Sequence, residues 1–148
     1  MTVLDKITGH QYIGVNGEKY RILGKAYYVT QRDPKTSYTK ILLEGHHVLV
    51  VSPSDKIAYF GKNMGRLSEF DSFSAEVCFD GKIYKQVNHD YQIVTKIDFG
   101  SPLEVEGEVE FWDYETDDFI ISIAVTSRNK ERADVAARYI PFDEIVVV

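Results

Sequence analysis

This chain has a single cysteine and fewer basic than acidic residues. Cys78 is the only cysteine among 148 residues, so no intramolecular disulfide can form and an oxidising compartment is not needed. Its place in the alternating run 76–79 favours a packed thiol over a reactive one. Lysine and arginine number 17 against 23 acidic residues, giving a net charge of -6. That balance argues against nucleic-acid binding, which depends on basic surfaces.

Long apolar runs and catalytic motifs are missing as well. No stretch approaches the roughly 18 apolar residues of a membrane span, and the N-terminal residues lack the apolar core of a signal peptide. We therefore expect a cytoplasmic protein without membrane insertion. The sequence also lacks a phosphate-binding glycine loop and a Gly-x-Ser-x-Gly elbow. These absences favour a protein that is not an enzyme and uses no cofactor.

Short apolar runs rich in Tyr, Phe, Val and Ile are abundant, separated by turn-forming residues. Such spacing is typical of antiparallel β-proteins. We predict strands near 11–15, 18–23, 25–31, 38–43, 47–51, 57–60, 76–79, 82–87, 90–97, 107–114, 119–126, 132–140 and 145–148. The segment 132–140 also fits a helical stripe, but the turn-forming residues before it favour a strand. The chain is thus predicted to be a single all-β domain over 1–148, a β-sandwich or a barrel.

Two short strings read alike and indicate where hairpins form. Asn-Gly lies at the centre of residues 13–20 and Asp-Gly at the centre of residues 77–84. Both dipeptides favour the type I′ turn, which needs positive φ at its two central residues. The predicted cross-strand pairs are Ile13 with Tyr20 and Val77 with Tyr84.

The likeness continues beyond the hairpins. We interpret it as an internal duplication with pseudo-twofold symmetry, in which halves at about 11–61 and 75–148 each form an antiparallel meander of about five strands. The polar segment 62–74 would then connect the halves. Such a twofold would also let two copies form a homodimer by swapping halves.

The densest acidic cluster contains Asp113, Glu115, Asp117 and Asp118. Its alternate carboxylates resemble the start of a calcium loop, but Asp118 and Ala124 stand where that loop requires glycine and glutamate. We interpret the cluster as a polar hairpin loop, with Asp113, Glu115 and Asp117 as weak metal candidates. His46 and His47 are adjacent, so in a strand they point to opposite faces and cannot chelate one metal ion. We expect one packed and one exposed imidazole.

Aromatic residues make up 13% of the chain, and Trp112 with Tyr114 is the most informative pair. Strand alternation places both on the face opposite Val109 and Phe111. One alternative is an exposed contact surface formed by Trp112, Asp113, Tyr114 and Glu115, since such residues anchor interfaces. The other alternative is burial of both faces between sheets.

The string Gly107–Glu115 (GEVEFWDYE), together with residues 79–84, 137–141, 144–145 and 16–20, resembles the signature of an uncharacterised bacterial family, domain of unknown function 4178. The resemblance covers most of the chain and is stronger in the second half. It implies an all-β fold and an accessory role. Because that family has no established activity, the resemblance transfers no catalytic residue.

These observations lead to three functional hypotheses. The first is a non-catalytic interaction module that binds an unidentified protein partner through Trp112, Asp113, Tyr114 and Glu115. The alternative is a small-molecule-binding β-barrel or carrier, with aromatic side chains lining its interior. The third is a metal-dependent hydrolase that uses the acidic loop, through Asp113, Glu115 or Asp117, or uses His46.

Overall fold

The alternating apolar runs fold into antiparallel strands. The computed structural model describes residues 12–30, 37–52, 57–99, 108–126 and 130–147. The strands are β1 (Tyr12–Val15), β2 (Glu18–Thr30), β3 (Ser37–Leu43), β4 (His47–Ser52), β5 (Ile57–Asn63), β6 (Glu76–Phe79), β7 (Lys82–Phe99), β8 (Glu108–Thr116), β9 (Phe119–Thr126), β10 (Arg132–Tyr139) and β11 (Ile145–Val147). Single 3-10 turns occupy Glu44–His46, Ser68–Phe70 and Phe142–Glu144. Within these ranges no helix is long and apolar enough to span a bilayer.

Both predicted hairpins are confirmed. Asn16 and Gly17 have φ of 52° and 80°, and Asp80 and Gly81 have φ of 53° and 75°. These angles are the positive values that a type I′ turn requires. The registers pair Ile13 with Tyr20 and Val77 with Tyr84, as predicted.

Two pairs of predicted strands are each one continuous strand. The predicted strands 18–23 and 25–31 form β2, and 82–87 and 90–97 form β7. The register shifts at Ile22/Gly24 in β2 and at Gln86/Asn88 in β7, where the sequence pattern had indicated breaks. An irregularity of this kind keeps the chain extended while it changes the direction of the side chains. Segment 132–140 is confirmed as a strand, β10.

The strand order is β11-β1-β2-β3-β4-β5-β10-β9-β8-β7-β6, and β2 also pairs with β7. Each half is therefore a meander of five strands, β1 to β5 and β6 to β10, and the halves meet at the β5–β10 and β2–β7 ladders. Because the long strand β2 has β3 on one side and β7 on the other, the sheet curls into a barrel-like form. The all-β fold is confirmed, and the duplication that we inferred for the halves stays a prediction.

Side chains pack on both faces of this curled sheet. We call the face that carries Val50, Ile120 and Val135 the inner face, and the opposite one the outer face. Two apolar clusters cover parts of the outer face. The first-half cluster contains Ile13, Val15, Ile22, Ile41, Leu43, Leu49, Val51, Ala58 and Ile140. The second-half cluster contains Phe70, Val77, Tyr84, Trp112, Tyr114, Ile121 and Ile123.

Candidate functional site

The predicted contact residues 112–115 divide between the two faces of β8. Trp112 is 8% exposed and Tyr114 is 0% exposed, and both belong to the second-half cluster on the outer face. Asp113 and Glu115 pair in register with Ser122 and Ile120 and so lie on the inner face. The alternation was predicted correctly, but these four residues do not form one exposed surface. The other predicted alternative, in which both faces of β8 are buried, is correct for Trp112 and Tyr114.

Residues far away in the chain bury this aromatic pair. The indole of Trp112 stacks on Phe73, with ring centroids 4.0 Å apart, and on His89, with centroids 4.6 Å apart. The hydroxyl of Tyr114 donates to the Ser74 carbonyl at 2.8 Å and accepts from the Gln86 side-chain amide at 3.1 Å. Trp112 and Tyr114 therefore stabilise the fold beneath segment 64–75.

A buried ion pair holds segment 64–75 in place. Asp134 is 0% exposed and accepts two hydrogen bonds from the Arg132 guanidinium, at 2.9 and 2.7 Å. It also accepts the Leu67 backbone N–H at 2.8 Å. Arg132 extends to Asp71 at 3.0 Å, and Asp71 pairs with Arg66 at 2.9 Å. Nothing local to β10 predicted this network, because its partners lie in another part of the chain.

Polar side chains form a cluster on the inner face, which we call the inner polar cluster: Tyr59, Asp113, Glu115, Ser122 and Tyr139. The Tyr139 hydroxyl donates to Glu115 Oε1 at 2.5 Å, and the rings of Tyr59 and Tyr139 meet edge to face at 6.0 Å. Asp113 accepts a hydrogen bond from Ser122, and Asn88 Nδ2 lies 3.5 Å from its Oδ2.

Burial shifts the acid–base properties of this cluster. Asp113 keeps a partly exposed surface, but loss of hydration on the concave inner face raises the pKa of its carboxyl to about 6. The charge of Glu115 raises that pKa further, whereas the hydrogen bonds from Ser122 and Asn88 oppose the shift. Burial likewise raises the pKa of the Tyr139 hydroxyl, and that of Tyr59, above their ordinary values.

The cavity that the described residues form beside the inner polar cluster is small. A cavity of about 20 Å³ lies between Lys40, Tyr59, Ser122 and the apolar side chains around them. Burial lowers the pKa of the Lys40 ammonium to about 8. A water molecule needs about 10–15 Å³, so this cavity has room for about one.

The candidate metal ligands do not come together. Asp113 and Glu115 lie on the inner face, while Asp117 is exposed at the β8–β9 turn. Among the residues described, no group of three or more His, Cys, Asp or Glu side chains is arranged to hold a metal ion. The acidic cluster is thus not one hairpin loop, because its first two carboxylates belong to β8 and point inward.

The two histidines divide as predicted. His46 is exposed, and His47 is half-buried, with its ring 4.7 Å from that of Tyr20 and 5.4 Å from that of Phe60. The prediction for Cys78 was wrong, because this thiol is exposed. Val77 is the β6 residue that packs into the second-half cluster, so alternation directs Cys78 to solvent.

A groove of about 380 Å³ lies on the outer face between the two apolar clusters, and we call it the outer groove. Its lining comes from β4, β5, the start of segment 64–75, β9, β10 and the β6–β7 hairpin: His47, Phe60, Gly61, Lys62, Met64, Phe79, Asp80, Tyr84, Phe119, Ile121, Ala136, Ala137 and Arg138. Ala136 forms the floor of the groove, and its small methyl side chain leaves space above it. A Cβ on Gly61 would lie 2.0 Å from the Ala136 carbonyl oxygen, so glycine is needed for β5 to pack against β10 here.

Apolar and basic side chains border the outer groove. Met64 is 48% exposed and Phe119 is 37% exposed. Lys62 and Arg138 are among the lining residues, and the Lys82 Nζ lies 3.8 Å from the centroid of the Phe119 ring. A second cavity of about 400 Å³ adjoins at His47 and reaches Leu23 and His46. The sequence pattern did not indicate the groove, because its lining residues are scattered along the chain.

Comparison of the chain with protein-family models, characterised proteins and solved structures finds no match. The resemblance to domain of unknown function 4178 therefore stays a prediction. Functional inference consequently depends on the geometry of the outer groove and the inner polar cluster.

Proposed function

We propose that this chain is a non-catalytic protein-interaction module whose outer groove holds an apolar segment of a partner protein. The observation that carries the proposal is a groove of about 380 Å³ with exposed Met64 and Phe119 at its border. Large apolar side chains left in solvent beside an apolar cleft mark interaction sites. The proposal keeps the function predicted from the sequence and moves the contact away from Trp112 and Tyr114.

The shape of the outer groove favours a polypeptide over a small molecule. Pockets for small ligands enclose most of the ligand surface. Here Met64 and Phe119 stay accessible along the border, and the groove runs between two outer clusters. A protein segment could place one apolar side chain over Ala136 while its backbone stays near the surface.

The described part of the inner face supports the small-molecule alternative less well than the outer groove supports the interaction module. The cavity beside Tyr59 and Ser122 has about 20 Å³, which is smaller than an organic ligand requires. The hydrolase hypothesis has no supporting arrangement among the residues described, because the carboxylates do not meet His46 in a metal-binding group.

Site-specific photocrosslinking in the native cell would test the proposal. A photoreactive amino acid replaces Met64 in one variant and Ile83, which is 60% exposed outside the groove, in the control. We expect a discrete crosslinked partner from position 64 and none from position 83. The substitution Ala136→Met fills the floor of the groove and should abolish that product while the circular dichroism spectrum is unchanged. Equal crosslinking at both positions, or a product that survives Ala136→Met, would contradict the proposal.

A further inference from the structure

The outer groove has a charge opposite to that of the protein as a whole. The chain has a net charge of -6, yet Lys62 and Arg138 both line the groove. Lys62 pairs in register with Ala136, and Arg138 pairs with Phe60. Because cross-strand partners share a face, both cations emerge on the outer face, on either side of the low floor.

A third cation lies beside them. Lys82 follows the β6–β7 turn, and its Nζ contacts the ring of Phe119 at 3.8 Å from the centroid. Asp80 is the acidic side chain among the described lining residues, and Glu144 forms an ion pair with the Arg138 guanidinium at 3.9 Å. The described lining thus carries two cations against one carboxylate, and Lys82 lies beside it at Phe119. This excess of positive charge complements an anion.

The spacing of the cations suggests how a partner segment would fit. Diagonal neighbours on adjacent antiparallel strands, such as Lys62 and Arg138, are about 7–8 Å apart. In an extended chain, residues two positions apart point to the same side and lie about 6.6 Å apart, at about 3.3 Å per residue. An apolar residue on the floor and carboxylates two positions before and after it therefore all point into the groove, where the long side chains of Lys62 and Arg138 can meet those carboxylates.

We infer that the partner segment is acidic, with aspartate or glutamate two positions before and after an apolar anchor residue. This inference rests on the proposed docking function and names the chemistry of the segment that the groove holds. The apolar anchor contacts Phe60, Ile121 and the floor at Ala136. The flanking carboxylates pair with Lys62 and Arg138, and electrostatic attraction selects them over basic segments.

Fluorescence anisotropy with two synthetic peptides would test the inference. The peptides share their length and a central leucine, with aspartates two positions before and after it in one peptide and lysines at the same positions in the other. Exposed ion pairs contribute modestly, and the two pairs with Lys62 and Arg138 predict roughly tenfold tighter binding of the acidic peptide. Screening at about 1 M salt, where the Debye length falls to about 3 Å, should remove most of the preference.

Variants connect the preference to the groove. Lys62→Gln combined with Arg138→Gln should abolish the preference for the acidic peptide, whereas Lys85→Gln, an exposed position outside the groove, should preserve it. Equal affinities for both peptides, lost in Ala136→Met, would refute the acidic specificity and leave the docking function standing. Tighter binding of the lysine peptide would also refute it. If neither peptide binds, the docking function fails together with the inference.

Discussion

Replacement of Trp112 by alanine separates the two roles that this residue was predicted to have. Its indole is 8% exposed and stacked between Phe73 and His89. Truncation of a buried Trp to Ala costs about 3–5 kcal/mol, because transfer free energy is lost and a cavity remains. A domain typically has about 5–15 kcal/mol of total stability. We therefore expect Trp112→Ala to remain folded at low temperature with a melting temperature lowered by about 6–20 °C.

The assay is urea unfolding followed by far-ultraviolet circular dichroism. Fluorescence is unsuitable because Trp112 is the only tryptophan of the chain. Ile83→Ala serves as the control, since Ile83 is 60% exposed and its truncation should change stability by less than about 0.5 kcal/mol. Trp112→Phe keeps one aromatic ring in the stack and should give an intermediate loss.

Two results would refute this reasoning. A loss below about 1 kcal/mol in Trp112→Ala would show that the indole does not fill a packed site, since truncations in cores cost more. Loss of partner crosslinking in a variant of unchanged stability would instead restore Trp112 as a contact residue. Crosslinking from position 64 should persist in Trp112→Ala at temperatures where the variant is folded.

Three further predictions concern stability. Asp134→Ala leaves the Arg132 guanidinium in a nearly buried site without its main partner. We therefore expect the free energy of unfolding in urea to fall by about 3 kcal/mol and hydrogen exchange in segment 64–75 to become faster. Unchanged exchange in that segment would contradict this prediction. Gly81→Ala should lower the free energy of unfolding by about 1–2 kcal/mol, because φ at Gly81 is 75°. Gly61→Ala should lower it by more, because the backbone of β10 must move away from the new Cβ. A greater loss of thermal stability in Gly81→Ala than in Gly61→Ala would be inconsistent with the β5–β10 packing. The pKa of Asp113 is raised from 3.8 to about 6 on folding, so its protonation favours the folded state: the contribution is full below about pH 4 and is lost as pH rises through about 6. Urea midpoints measured across this range should decline less with pH in Asp113→Asn than in the parent protein, and identical slopes would show that this carboxyl does not titrate as described.

Local sequence signals were sufficient wherever the structure depends on residues close together in the chain. The Asn-Gly and Asp-Gly dipeptides predicted the turns and the cross-strand pairs of both hairpins. Period-two alternation located the strands and the face of each residue in β8. It could not show that β2 and β7 are continuous, because a register shift looks like a break in the pattern.

The solvent exposure of side chains could not be predicted from local sequence patterns. Alternation places Trp112 and Tyr114 on one face of β8 but does not reveal what covers that face. Segment 64–75 covers it, held by Asp134 across the sheet. The same uncertainty led to the wrong prediction for Cys78, since the pattern alone did not distinguish the packed face of β6 from the solvent face.

The amino-acid sequence by itself determined the all-β class, the two type I′ turns and the antiparallel meander, because these depend on backbone preferences and on the polarity of neighbouring residues. Only the tertiary structure decided the β2–β7 and β5–β10 ladders, the burial of Trp112, the raised pKa of Asp113 and the outer groove. Each of these features arises where strands distant in the chain approach one another. Their effects on hydration, packing and charge exist only once the chain has folded.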